Sequence, residues 1–258
     1  MATEAIQPNP AARTHPIPRL VNRSVERCFF AGMAVLLAIL VFMGFSPTYF
    51  RAGVVLAPLP NALVHIHGAV FSLWMVLFLV QTFLISAKRV AWHRSLGAIG
   101  FLLPPVMAIL GIITAIDGLR RGVRIGPLDP ATSLAFPLVG ITVMFIPIII
   151  AAWRTRRRPD SHKRYIIITT IGLSEAAMGR IPWQKISIAT PLGLVACTGL
   201  LLLLLVAYDL FSLRRVHRST LWAAPLTFAI AALTIPIGMT PPWHAFANFL
   251  SRTIAPYV

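Results

Sequence analysis

Apolar residues run along this chain in stretches of roughly twenty, separated by short polar segments rich in arginine. A helix of about 20 apolar residues crosses a bilayer. Seven stretches approach or exceed that length: 29–45, 62–86, 95–116, 131–153, 165–181, 190–212 and 221–240. Among the charged residues only Glu175, Arg180 and Asp209 fall inside these windows. Ser46-Pro47 ends the first stretch, and Phe45, Tyr49 and Phe50 are placed to form an interfacial aromatic belt. Glu175 interrupts the fifth, so a six-span chain with a re-entrant fifth segment is the architectural alternative. Pro104-Pro105 in the third stretch, and Pro137 and Pro147 in the fourth, predict kinks.

Composition narrows the class. The 258 residues are 57% hydrophobic and 12% charged, against about a quarter charged in a soluble domain. An ordinary soluble domain and a disordered chain are both excluded. The net charge is +16. In a soluble protein that excess suggests nucleic acid. Here the bases lie between apolar runs and report topology, so no nucleic-acid partner is expected. Sixteen of the 23 Lys and Arg fall in alternate segments beginning with the N-terminal tail, and seven in the others. The positive-inside rule then places the N-terminus in the cytoplasm. Loop 117–130 is the exception, because Arg120, Arg121 and Arg124 fall outside, partly offset by Asp117 and Asp129.

The expected fold is therefore all-α: a polytopic membrane helix bundle of seven transmembrane helices over 29–244. A basic, Pro-rich tail (1–28) without the apolar core of a signal peptide precedes it. A short C-terminal tail (245–258) follows. The lipid bilayer is the first partner, with anionic headgroups at the cytoplasmic basic loops.

Candidate chemistry rests on histidines and one acid. His93-Arg94-Ser95, His162-Lys163-Arg164 and His217-Arg218-Ser219 each place a histidine and a base at the start of the next span. This pattern is either a worn repeat of two-helix units or a by-product of topology. Histidine is a common ligand for haem iron and other metals. Gly97, Gly100 and Pro104 follow His93 on one helical face, which would let a macrocycle approach the backbone. On the second span His67, Trp74 and Gln81 share an azimuth and form a polar stripe. For each histidine the alternative is an interfacial structural role. His65 and His244 belong to the outer side with His67.

Glu175 lies well inside the fifth span, on a face with Gly172, Ala176 and Gly179. A carboxylate there costs several kcal/mol unless paired, protonated or hydrated. His67 and Gln81 are its candidate partners. The expected role is proton transfer or a hydrogen bond to a ligand, against a buried structural bond as the plain alternative. Asp209, at the cytoplasmic end of the sixth span, reads as interfacial.

The runs His65 to Gly97 and Arg158 to Arg164 resemble a family of uncharacterised bacterial integral-membrane proteins. That resemblance implies the bacterial cytoplasmic (inner) membrane as location. Histidines at helix ends followed by Gly-rich spans are more distantly similar to the transmembrane cytochrome b electron-transfer proteins. The similarity implies haem b, with His93 and His162 as axial ligands and His67 as a possible further ligand. The leading expectation is thus a haem-b-binding membrane redox or electron-transfer protein, its redox partner undefined. The alternative is a proton-coupled small-solute transporter, or a non-catalytic membrane assembly subunit. Phosphate-loop, zinc-protease and serine-hydrolase motifs are absent from the sequence, and whether the chain is an enzyme stays open.

Overall fold

The computed structural model describes residues 22–51 and 61–253. His15 and most of the basic tail lie outside the described residues. Eight helices are present among the described residues: α1 Arg23–Phe50, α2 Ala62–Ser86, α3 Val90–Arg120, α4 Pro130–Arg154, α5 Pro159–Met178, α6 Thr190–Leu213, α7 Arg218–Gly238 and α8 Pro241–Thr253. Six of them (α1 to α4, α6 and α7) are long and apolar enough to cross a membrane. The chain is thus an all-helical, multi-span membrane protein. Its outward faces carry the expected aliphatic coat, with Leu73, Phe83, Ile99, Leu203, Phe211 and Leu221 all more than half exposed.

Helix α1 begins earlier than the apolar pattern suggested. The Asn22 side chain caps it by accepting from the Ser24 N–H, and Glu26 lies in its positively polarised first turn. After Phe45 it widens into a π turn over Ser46–Phe50, where Pro47 has no N–H to give. Tyr49 does not face an interface alone. Its ring lies against Gly68 and its hydroxyl donates to the His65 carbonyl at 3.2 Å, joining α1 to α2. The expected kinks are present. Helix α3 breaks at Phe101 and Leu102, just before Pro104. Helix α4 relaxes into a π-helical segment over Gly140–Phe145, between Pro137 and Pro147.

Helix α5 is the centre of the bundle. It packs against α1, α4, α6 and α7, and twelve of its 20 residues are buried. It is one unbroken helix, about 30 Å long at 1.5 Å per residue, and not a re-entrant pair of half-helices. Lys163 near its start bonds Glu26 near the start of α1 at 2.6 Å. Near its end, Ala177 presses its backbone against Gly44, where any side chain would collide. The two helices therefore run side by side in the same direction. Helix α5 falls below the apolarity of the other six because its polar residues, Arg164, Thr169, Thr170, Ser174 and Glu175, all turn inward.

The expectation that Asp209 reaches headgroups is corrected. Asp209 is fully buried, and so is Arg164. Arg164 donates through Nε (2.8 Å) and Nη2 (2.5 Å) to Asp209 Oδ1, and through Nη1 (2.7 Å) to the Asp160 carbonyl. Asp209 Oδ2 accepts from the His217 N–H (3.0 Å) and the Thr220 hydroxyl (2.7 Å). The carboxylate thus sits on the N-terminus of α7, where exposed N–H groups favour an anion. One ion pair ties α5, α6 and α7 together.

Two of the three bases of loop 117–130 have a local partner. Arg120 and Arg121 both donate to the buried Asp117 carboxylate at 2.7 Å. The amide of Asn61, the cap of α2, completes that carboxylate's shell at 3.1 Å. At the same end α8 replaces the expected C-terminal tail. Its Ala247 and Leu250 pack with Ala115 and Leu134, and Trp243 donates to the Ala131 carbonyl at 2.7 Å.

Asp209→Ala leaves Arg164 buried without its counter-charge, which is expected to cost about 3–5 kcal/mol. This would be read as a lower unfolding midpoint in detergent. Adding Arg164→Leu should restore much of the loss. Unchanged midpoints in the single variant would show that the pair contributes nothing.

Candidate functional site

The polar residues singled out by sequence divide into three places. At the end where α2 meets α3 and α4 meets α5, the structure brings His93 and His162 into electrostatic range of each other. Each is the fourth residue of its helix, α3 or α5, which is the geometric content of the recurring histidine. His217 differs, because it lies just outside α7 as its cap and accepts from the Ser219 N–H through Nδ1 at 3.1 Å.

The two neighbouring histidines are held in opposite tautomers. His162 Nδ1 is 3.0 Å from the Ala152 carbonyl. Only a donor can bond there, so Nδ1 carries hydrogen and Nε2 keeps its lone pair. For Gln81 one amide orientation satisfies both ends. In it the nitrogen donates to His93 Nδ1 (2.5 Å) and the His93 carbonyl (3.1 Å), and the oxygen accepts from the Gly97 N–H (2.8 Å). His93 Nδ1 is then an acceptor, and Nε2 bears the hydrogen. Phe101 flanks the pair, with its ring centre 6.0 Å from His162 and 5.0 Å from Trp153.

A haem-ligating histidine offers the Nε2 lone pair and commonly donates through Nδ1. His162 meets this requirement. His93 does not in this arrangement, because Gln81 occupies the atom that would have to donate. The two residues therefore fit one axial position and not two.

His67 lies elsewhere. Its ring stacks on Phe71 at 4.2 Å, and its Nδ1 is buried with no hydrogen-bond partner. The expected His67–Trp74–Gln81 stripe is split by function. Trp74 Nε1 donates to Thr170 on α5 at 3.3 Å, and Gln81 serves His93. His244 is engaged at the head of α4, 4.0 Å from Asp129 and 3.4 Å from the Thr132 hydroxyl. Asp129 caps α4 through the Ala131 and Thr132 N–H groups, and its bond from the Thr132 hydroxyl (2.6 Å) holds its carboxyl below the usual range. Among the described residues no three His, Cys, Asp or Glu side chains converge as a metal site would require.

Glu175 is the third place. It is 4% exposed, and its Oε1 is buried without a partner. Neither His67 nor Gln81 bonds it, and Arg180 turns away to donate to the Ala176 carbonyl at 2.5 Å and to lie over the Phe45 ring. Of the six acidic side chains among the described residues, four hold a lysine or arginine and a fifth faces a histidine. Glu26 and Asp160 hold Lys163, Asp117 holds Arg120 and Arg121, Asp129 faces His244, and Asp209 holds Arg164. Glu175 alone is uncompensated. It also shares a face of α5 with Arg164, eleven residues or about three turns away, with the fully buried Ile168 and Ile171 between them.

No family model matches the chain, and no curated protein or solved structure is significantly similar to it. The resemblances drawn above rest on their quoted residues alone.

Burial holds the His217 imidazole below its ordinary value of 6.5. The folded state thus binds this proton more weakly than the unfolded chain. Stability from this residue is full above about pH 6.5 and falls on acidification below it. His217→Asn keeps a capping side chain that does not titrate. Its melting temperature should fall less than that of wild type between about pH 7.5 and pH 5. Parallel curves would remove His217 from the acid response.

Proposed function

We propose that this chain is a seven-span protein of a bacterial cytoplasmic membrane, with its N-terminus inside, that couples proton movement to a small solute through Glu175. The observation that carries the reading is the uncompensated carboxyl of Glu175 on the central helix. A charge held in such surroundings costs several kcal/mol. Ionisable groups inside membrane spans mark proton relays and ion pathways, and among the described residues the buried Asp117 and Asp209 are each given an arginine.

Three features support the arrangement. Helix α5 lies alongside α1 along its length, which favours a seventh crossing. The Arg164–Asp209 pair closes one end of the Glu175 face, and Ile168 and Ile171 separate it from the carboxyl. The break in α3 and the π-helical segment in α4 interrupt the regular helix in two of the crossing helices, α4 being packed on α5. In this reading Glu175 takes a proton when its surroundings open to one side and releases it when they open to the other.

A second reading is favoured by one observation, the proximity of His93 and His162 with Nε2 of His162 free. There haem b would be bound at the basic end, His162 would hold the iron, and the group would supply one-electron chemistry. Gln81 would have to turn its amide before His93 could be the second ligand.

Purified protein in liposomes with a trapped pH dye tests the first reading. Solute-driven proton uptake is expected for wild type. A loss of at least tenfold is expected for Glu175→Gln, with an unchanged melting temperature. Equal flux in the two would sink the role of Glu175. An absorption spectrum of the same preparation after haem-replete growth tests the second. A Soret band that disappears in His162→Ala would establish it.

A further inference from the structure

We infer that the groove between α2 and α3 holds one phospholipid with an anionic headgroup, drawn from the leaflet at the basic end of the bundle. Beside the break in α3 at Phe101 and Leu102 lies a cavity of about 330 Å³. Leu73 and Leu77 of α2 and Leu96, Ile99, Leu103 and Val106 of α3 form its walls. At Gly100, which also lines it, α2 and α3 approach closely, and the Leu77 side chain occupies the space a larger residue would need.

The groove has the length of a single leaflet. Leu96 to Val106 is ten residues, about 15 Å along a helix, and half of a hydrocarbon core of about 30 Å is the same. A wall of aliphatic side chains suits an acyl chain. What the groove needs in addition is a reason for one lipid class, and its upper end supplies it. Lys88 and Arg89 stand between the end of α2 at Ser86 and the start of α3 at Val90, so they lie at the end of the groove where the two helices join, with an exposed indole beside them (Trp92 is 68% exposed). Indole rings favour the headgroup level, and juxtamembrane bases attract anionic headgroups. Among the described residues no acid pairs with Lys88 or Arg89, unlike Arg120, Arg121, Lys163 and Arg164. The inference is independent of the proton-coupled reading, since none of these residues contacts Glu175.

Native mass spectrometry of delipidated full-length protein tests it, with phosphatidylglycerol and phosphatidylcholine added in parallel. One phosphatidylglycerol per chain should survive activation that strips phosphatidylcholine. Lys88→Gln with Arg89→Gln should weaken this adduct by about tenfold and leave the melting temperature unchanged. Leu73→Trp, a change at an exposed position that fills the groove, should abolish it. Equal retention of both lipids in all three proteins would overturn the proposal. So would an adduct that Leu73→Trp removes but the base substitutions leave intact, as a prenylated quinone or a second copy of the chain would give.

Discussion

The bundle depends on one buried ion pair. Arg164 and Asp209 are removed from solvent, and each makes further hydrogen bonds, Arg164 to the Asp160 carbonyl and Asp209 to the His217 N–H and the Thr220 hydroxyl. Burying two charges is costly, and the mutual attraction repays it only when the geometry is complete. Here completeness requires three helices at once: α5 for the guanidinium, α6 for the carboxylate and α7 for the helix terminus that receives it. The pair therefore fixes the rotation of α5 about its axis. That rotation in turn decides that Glu175, on the same face, points inward.

How much of this was legible in the sequence follows from the range of the forces involved. Span positions follow from local apolarity, and six of the seven expected windows correspond to helices both long and apolar enough to cross a membrane. The breaks near Pro104 and Pro137 were equally local, since proline removes a donor wherever it stands. The partners of Asp209 and Asp117 were not. Asp209 finds Arg164 across 45 residues and Asp117 finds Asn61 across 56, and nothing in spacing distinguishes such an acid from one that faces headgroups. One signal was available for α8: Trp243, Ala247 and Leu250 recur at helical intervals.

The candidate site shows the same division. The shared placement of His93 and His162 near helix starts was visible as a motif, and the structure brings the two together. Their opposite tautomers were not visible, because they are set by the Ala152 carbonyl and the Gln81 amide, groups outside the motif. Glu175 was conspicuous because an acid in an apolar run is rare, but its isolation emerges only when the other described acids have been seen with their partners.

The separation of Arg164 from Asp209 also bears on how the chain is made. Synthesis delivers the guanidinium of α5 to the membrane before the carboxylate of α6 and the receiving terminus of α7 exist. Until they arrive, the least apolar of the long helices carries an unanswered charge and lacks the walls that bury its hydroxyls. The burial of the central helix is therefore complete only when the two later helices are in place.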